Sequence, residues 1–328
     1  MSGMTSRQRV RAVLEGSKPD RLPFNFWMDR NRMAELDALF GADFRITHYG
    51  ADVLETFFSY DWNCGLQGEH IRDNKTAWQT APALDCMKKV YGLNFPAVSG
   101  NEDAILGRIA HDCRRFPDIA KFAMLGSPLE FFLGIRMMEN AMVDIYEFPD
   151  ETNFLINKYG EILTDIVKAL AERCDVDVLY LAGDVCSSKG SMFGDEMLRR
   201  LMLDPMRGAL DTAHSRGLKV FYHSDGNVTD LLPLLAEYGF DGVNPLQPPL
   251  NDCAAFRKNF AGKLMLYGGL DNCFAIPDNS PDGVRRHVRE QFETLGPDGL
   301  IFSSHDIPDY AGIENIDAMV DEIKNCAV

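Results

Sequence analysis

Eight short apolar runs of strand length, separated by stretches of helical periodicity, constrain this 328-residue chain more than any other feature. The runs are Leu22–Trp27, Val53–Phe58, Phe122–Leu125, Val176–Leu181, Val220–Tyr222, Gly242–Val243, Leu264–Tyr267 and Leu300–Phe302. Between them, Leu155, Ile156, Tyr159, Ile162, Leu163, Ile166, Val167 and Leu170 keep the i, i+3, i+4 spacing of one helix face after a Pro149-Asp150 start. Ser280-Pro281 offers an N-cap and an N1 proline to a helix carrying Val284, Val288, Phe292 and Leu295. Strands that are apolar throughout must be covered on both faces, the condition of a parallel sheet with crossover helices. Eight such units predict a closed (β/α)8 TIM barrel, one α/β domain over residues 1–328. Ahead of the first strand, Thr5-Ser6-Arg7-Gln8 reads as a capping box, with Val10, Val13 and Leu14 on one face of a short helix. The segment from about Trp62 to Pro117 breaks the alternation and reads as an insertion after the second strand.

Composition narrows the function classes. With 46% hydrophobic and 25% charged residues and a mean hydropathy of -0.18, the chain reads as an ordinary globular protein. No apolar run approaches the ~18 residues of a membrane span. The N-terminus runs into Arg7 and Arg9 without an apolar signal segment, so a cytoplasmic location is expected. Lys and Arg total 33 against 49 Asp and Glu, a net charge of -16, and no basic run is clustered enough to neutralise a phosphate backbone. Nucleic acid is therefore not an expected partner, and a polyanionic substrate would need strong local arginines. The eight cysteines form no CxxC pair, which fits a reducing compartment rather than a disulfide framework.

In a barrel of this kind, the residues after each strand line the C-terminal mouth, where active sites are built. That ring holds Asp29-Arg30, Asp61, Ser127-Pro128, Gly183-Asp184, His223-Ser224-Asp225-Gly226, Asn244-Pro245, Gly268-Gly269-Leu270-Asp271 and Ser303-Ser304-His305-Asp306. Asp, Asn, Gly and Ser also end strands and cap helices in any fold, which is the alternative reading for Asp29, Asp225 and Asp306. Histidine is harder to explain that way. His223 follows Val220-Phe221-Tyr222 and precedes Asp225 by two residues, so both side chains face one side if the strand extends that far. Such a pair can bind a metal or act as acid and base. Trp27, Arg30, Arg32, Asn244 and Asp271 are candidate substrate contacts. Cys186 reads either as a third, soft ligand or as a small packed residue. No Gly-rich dinucleotide fingerprint follows the first strand, and no Gly-x-Ser-x-Gly elbow is present.

Several stretches together resemble the uroporphyrinogen decarboxylase-like superfamily, which includes corrinoid-dependent methyltransferases. They are Thr5–Val10 with Lys18–Pro23, Phe122–Pro128, Tyr222–Asn227, Gly242–Pro248, Tyr267–Asp271 and Ser304–Ile307. The resemblance runs nearly end to end and implies the barrel fold. True decarboxylases hold substrate carboxylates partly with an Arg-Gln-x-Gly-Arg loop after the first strand; here the loop is Asp29-Arg30-Asn31-Arg32, with an added acid and no glycine. The thiol-methylating branch carries zinc on His-x-Cys plus a later Cys, where this chain has His223, Asp225 and Ser303 or Ser304. Oxygen ligands in place of thiolates leave a metal more Lewis-acidic, suited to polarising an oxygen leaving group.

The resemblance thus implies a corrinoid-dependent methyltransferase that passes a methyl group from a small methylated donor, a methyl ether in an O-demethylase component, to the corrinoid (cobalamin) of a partner protein. His223 and Asp225 would hold zinc or form an acid–base pair, and Asp184 and His305 would orient the substrate. The alternative it leaves open is uroporphyrinogen decarboxylase or a related decarboxylase, with Arg30, Arg32 and His305 on carboxylates and Asp61 stabilising a protonated pyrrole-like intermediate. A second alternative is a non-catalytic tetrapyrrole-binding barrel.

Overall fold

The computed structural model describes residues 3–72 and 77–328. All eight apolar runs are strands of one parallel sheet: β1 Phe24–Met28, β2 Val53–Phe57, β3 Ala120–Gly126, β4 Val178–Ala182, β5 Lys219–His223, β6 Gly242–Asn244, β7 Met265–Gly269 and β8 Leu300–Ile307. They pair in the order β1-β8-β7-β6-β5-β4-β3-β2, which curls the sheet into a (β/α)8 barrel. The remaining seam, between β1 and β2, is bridged by Asp52. Its backbone N–H donates to the Phe24 carbonyl at 2.8 Å, and its carboxylate accepts from the Phe24 N–H at 3.0 Å.

Period-two alternation sorts each strand into an outer and an inner face. Val220, Tyr222, Leu179 and Leu181 face outward into the layer under the helices, whereas Phe122, Tyr180, Phe221, Tyr267 and Ile301 fill the barrel interior. The helix Ser6–Leu14 closes the N-terminal end by sending Val10, Val13 and Leu14 into that interior cluster. Its capping box is made as expected, Thr5 Oγ1 accepting from the Gln8 N–H and Gln8 Oε1 from the Thr5 N–H. The helices Pro149–Arg173 and Pro281–Leu295 occupy the two expected stretches, the second capped by Ser280.

The interruption after β2 is shorter than the break in periodicity implies. It contains the antiparallel strands Glu69–Arg72 and Ala77–Ala81 and a 3-10 turn at Met87–Gly92. Residues 73–76 within that expectation lie outside the described residues. The helix Glu102–Arg115 belongs to the barrel wall, because Ile105, Leu106 and Ile109 are buried in the outer layer and Asp112 accepts from Thr56 Oγ1 of β2 at 2.7 Å. Its apolar stripe of Ile105, Leu106 and Ile109 is short, lying between charged first and last turns. Among the described residues, no helix is long and apolar enough to cross a membrane.

Candidate active site

Inner-face parity carries the chemistry to the mouth. Phe221 points into the interior and so, two residues on, does His223; the same step takes Tyr180 to Ala182, Asn25 to Trp27 and Ser303 to His305. His223, Asp225 and His305 converge there, one ligand atom of each lying within 4.8 Å of the others. The imidazoles of His223 and His305 are 4.7 Å apart between ring centroids. Asp184, at the end of β4, accepts from the Asp225 N–H at 2.9 Å and lies 3.6 Å from His223 Nε2.

The tautomer of His223 follows from what stands behind it. Asn244 donates its Nδ2–H to the Tyr267 carbonyl, so its Oδ1 is the acceptor facing both the Tyr180 hydroxyl and His223 Nδ1, the latter at 2.8 Å. Nδ1 therefore carries a proton, and neutral His223 presents the Nε2 lone pair to the mouth. Beneath this layer, Glu55 accepts from Tyr267 and from Asn25 and pairs with Arg45 at 3.4 Å. The Arg45 guanidinium also lies 4.2 Å from the centre of the Trp27 ring, so Trp27 forms part of the inner wall near the mouth. This satisfied polar layer makes the floor of the site rigid.

The donor set fits a divalent cation. Two imidazoles and one carboxylate are a set used for zinc and for other first-row ions, and Asp225 Oδ1 is buried with no hydrogen-bond partner. Burial raises the Asp225 carboxyl above the ordinary aspartate range, opposed by the two imidazoles. Burial, together with the neighbouring His223, holds the His305 imidazole below the ordinary histidine value and favours its neutral, ligating form. The third corner is thus His305 rather than Ser303 or Ser304; the Ser303 hydroxyl donates to the Ser304 carbonyl instead. Cys186 is a packed residue outside this group, its thiol pushed up to about 11 by burial.

Other expected contacts are engaged elsewhere. Asn244 is buried, and its Oδ1 is taken up by His223 Nδ1 and the Tyr180 hydroxyl. Asp271 is buried and accepts from the Cys273, Phe274 and Ala275 N–H groups, which makes it a loop cap. Asp61 is exposed and accepts from the N–H groups of Asn63 and Gly65. Arg30 is exposed, while Arg32 pairs with Glu35 at 3.0 Å and reaches the Ala311 carbonyl. Asp29 is the N-cap of the helix Arg30–Phe40, accepting from the Asn31 and Arg32 N–H groups. For the three aspartates, Asp29, Asp61 and Asp271, a loop or helix start leaves backbone donors unpaired, and the nearest carboxylate satisfies them.

Beside His223 opens a cavity of about 370 Å3. Phe57, Phe58, Trp62 and Phe131 form one wall, Met124 and the glycines at the ends of β3 and β4 form the floor, and Glu130 and Asp184 border it with His223. Trp62 lies flat on Phe131, 3.7 Å between centroids. A methyl group at Gly126 would meet the Phe131 ring at 2.7 Å, and one at Gly183 would meet Ser127 Oγ at 2.6 Å, so both positions must lack a side chain for the wall to stand where it does. Sequence reading did not single out this aromatic wall, Glu130 or Tyr180. Only parity along β2 and β4 pointed to Phe57 and Tyr180; Trp62, Phe131 and Glu130 arrive from loop and helix without a local signal.

A TIM barrel with a histidine–carboxylate cluster at its C-terminal mouth is the class of protein this geometry defines. The sequence model of the uroporphyrinogen decarboxylase (URO-D) family matches residues 106–326, and the chain belongs to that family. No curated protein sequence matches it. Among solved structures, a methyltransferase from Methanosarcina mazei superposes with a TM-score of 0.76 at 17% identity, over 98% of this chain and 99% of that one. A B12-independent methionine synthase from Shewanella sp. W3-18-1 is a more distant likeness, with a TM-score of 0.45 at 11% identity over 67% and 64% of the two chains.

Proposed function

We propose that this protein is a corrinoid-dependent methyltransferase, taking a methyl group from a small O-methylated donor and delivering it to the reduced cobalt of a corrinoid carried by a separate protein. The observation that carries the reading is the convergence of His223, Asp225 and His305 at the mouth, with His223 also bordering an aromatic-walled cavity. The likeness to a methyltransferase barrel supports it at the level of fold. In the reaction the methyl C–O bond breaks as the cobalt–carbon bond forms, and the leaving oxygen keeps the bonding pair. A phenoxide, with a conjugate acid near ~10, needs a proton or a Lewis acid at that moment. A divalent ion held by His223, Asp225 and His305 would supply Lewis acidity to that oxygen. In the acid–base form of the same site, His223 donates from Nε2, while Asn244 keeps Nδ1 oriented and Asp225 and Asp184 stabilise the imidazolium. Trp62 and Phe131 hold the ring of an aryl donor and keep water from it.

With a reduced corrinoid protein supplied, His223→Ala and Asp225→Asn are expected to lose ~10²–10⁴ in rate with methyl ethers. The loss should be far smaller with a sulfonium or quaternary ammonium donor, whose leaving group is already neutral. Equal losses on both donor types would reduce these residues to holding the fold or the substrate.

The family description itself favours a second reading, decarboxylation of a porphyrinogen. Against it stand a cavity at the small end of the ~300–1,000 Å3 range for ligand sites, and an arginine loop whose Arg32 is paired with Glu35.

A further inference from the structure

We propose that the cavity beside His223 selects an uncharged aryl methyl ether and rejects carboxylated ones, with Glu130 as the residue that sets this choice. The inference rests on the methyl-transfer reading for what the ligand is, but not for how it is recognised. Ser127-Pro128-Leu129-Glu130 has the form of a capping box, in which the Glu side chain would return to the N-cap N–H. That return does not occur: the Ser127 N–H donates to the Ala182 carbonyl at 2.6 Å, while Ser127 Oγ still accepts from the Glu130 N–H. The Glu130 carboxyl is released from the helix start and borders the cavity with Asp184 and His223.

The side chains around the cavity are thus an aromatic wall, two carboxyl groups and His223, with no lysine or arginine among the described lining residues. A carboxylate on the donor would meet Glu130 and Asp184 with no lysine or arginine to pair with. A neutral ring packs on the aromatic wall and takes a hydrogen bond from, or gives one to, Glu130. Desolvation at the cavity edge and the neighbouring Asp184 raise the Glu130 carboxyl above the ordinary range, in keeping with a hydrogen bond to an uncharged oxygen.

Calorimetric titration of the full chain, without any corrinoid, tests this with two probes: 2-methoxyphenol and 4-hydroxy-3-methoxybenzoate. The neutral phenol should bind at least tenfold more tightly than the benzoate. Glu130→Lys should reverse the order between phenol and benzoate, a gain that a misfolded variant cannot give. Benzoate binding as tightly as the phenol, no binding of either probe, or an order unchanged in Glu130→Lys would overturn the proposal. Because no methyl transfer is measured, failure of the corrinoid assay leaves this result standing, and a wrong selectivity order leaves the methyl-transfer reading standing.

Discussion

At the scale of single residues, the site is built from side chains that differ more in their partners than in their type. Five carboxylates at strand ends look alike in the sequence, yet Asp29, Asp61 and Asp271 satisfy loop and helix N–H groups, whereas Asp225 keeps an unpartnered oxygen facing two imidazoles and Asp184 stands beside His223. Asn244 is the residue to remove if orientation of His223 matters. Its amide accepts from His223 Nδ1 and Tyr180 and donates to the Tyr267 carbonyl, so Asn244→Ala frees the ring to turn. Purified protein exposed to zinc is expected to carry close to one ion per chain by metal analysis. His223→Ala should lose it, and Asn244→Ala should weaken its affinity by ~10–100-fold. Absence of zinc from the wild type after loading would exclude the ligand role and leave the acid–base one. His223 and Asp225 were legible from their two-residue spacing at a strand end, and His305 from its place after the eighth apolar run. The partner that fixes the tautomer was not, because a hydrogen bond between neighbouring strands leaves no periodicity in either.

Among the elements, the N-terminal helix and the β1–β2 seam belong to one ion-pair system. Arg9 donates to Asp20 at 2.6 Å and to the fully buried Asp52 at 2.7 Å, and Asp52 also ties β1 to β2. Arg7 reaches across the end of the barrel to Asp175 and Asp177. Arg9→Met leaves Asp52 paired with Arg21, and is expected to cost about 1.5–3 kcal/mol in urea unfolding, the range for a lost hydrogen bond to a charged group. The pH dependence has a definite sign. Hydrogen bonding to Arg9 holds the Asp20 carboxyl below its ordinary value, and hydrogen bonding to Arg7 does the same for Asp175. Groups with a depressed folded-state pKa stabilise the protein above the unfolded value, near ~3.9, and lose that contribution as pH falls through the folded value. The urea midpoint of the wild type should therefore fall as pH drops below about 5, and the fall should be shallower in Arg9→Met, which starts lower. A parallel fall in both would show that other carboxylates govern acid unfolding. The helix itself was legible in Thr5–Gln8 and its apolar face. Its role as a plug and as one side of a seam was not, since Asp52 and Asp177 are far away in the chain.

For the whole molecule, family membership and fold leave two reactions in competition, and the charge pattern separates them. A protein of net charge -16 whose cavity is bordered by Glu130 and Asp184 is a poor host for a substrate with many carboxylates. Uroporphyrinogen incubated anaerobically with the pure protein should therefore return unchanged by chromatography. Formation of coproporphyrinogen would reverse the ranking of the two activities. What the sequence determined by itself is the barrel. Eight apolar runs, helix periodicity and caps are local signals, each written within a few turns of chain, and together they admit one way of covering a parallel sheet. Inner-face parity then carried His223 and His305 to the mouth, while β5 ends at His223 and the loop after it brings Asp225 alongside. What only the tertiary structure decided is which mouth residues meet one another: that His305 is the third corner, that Asn244 stands behind His223, that Glu130 leaves its capping box for the cavity, and that Trp62 closes the wall on Phe131. Those contacts join residues from different strands and loops, and the loop conformations that bring them together are set by whichever carboxylate, glycine or backbone carbonyl lies across the barrel rather than next to it in the chain.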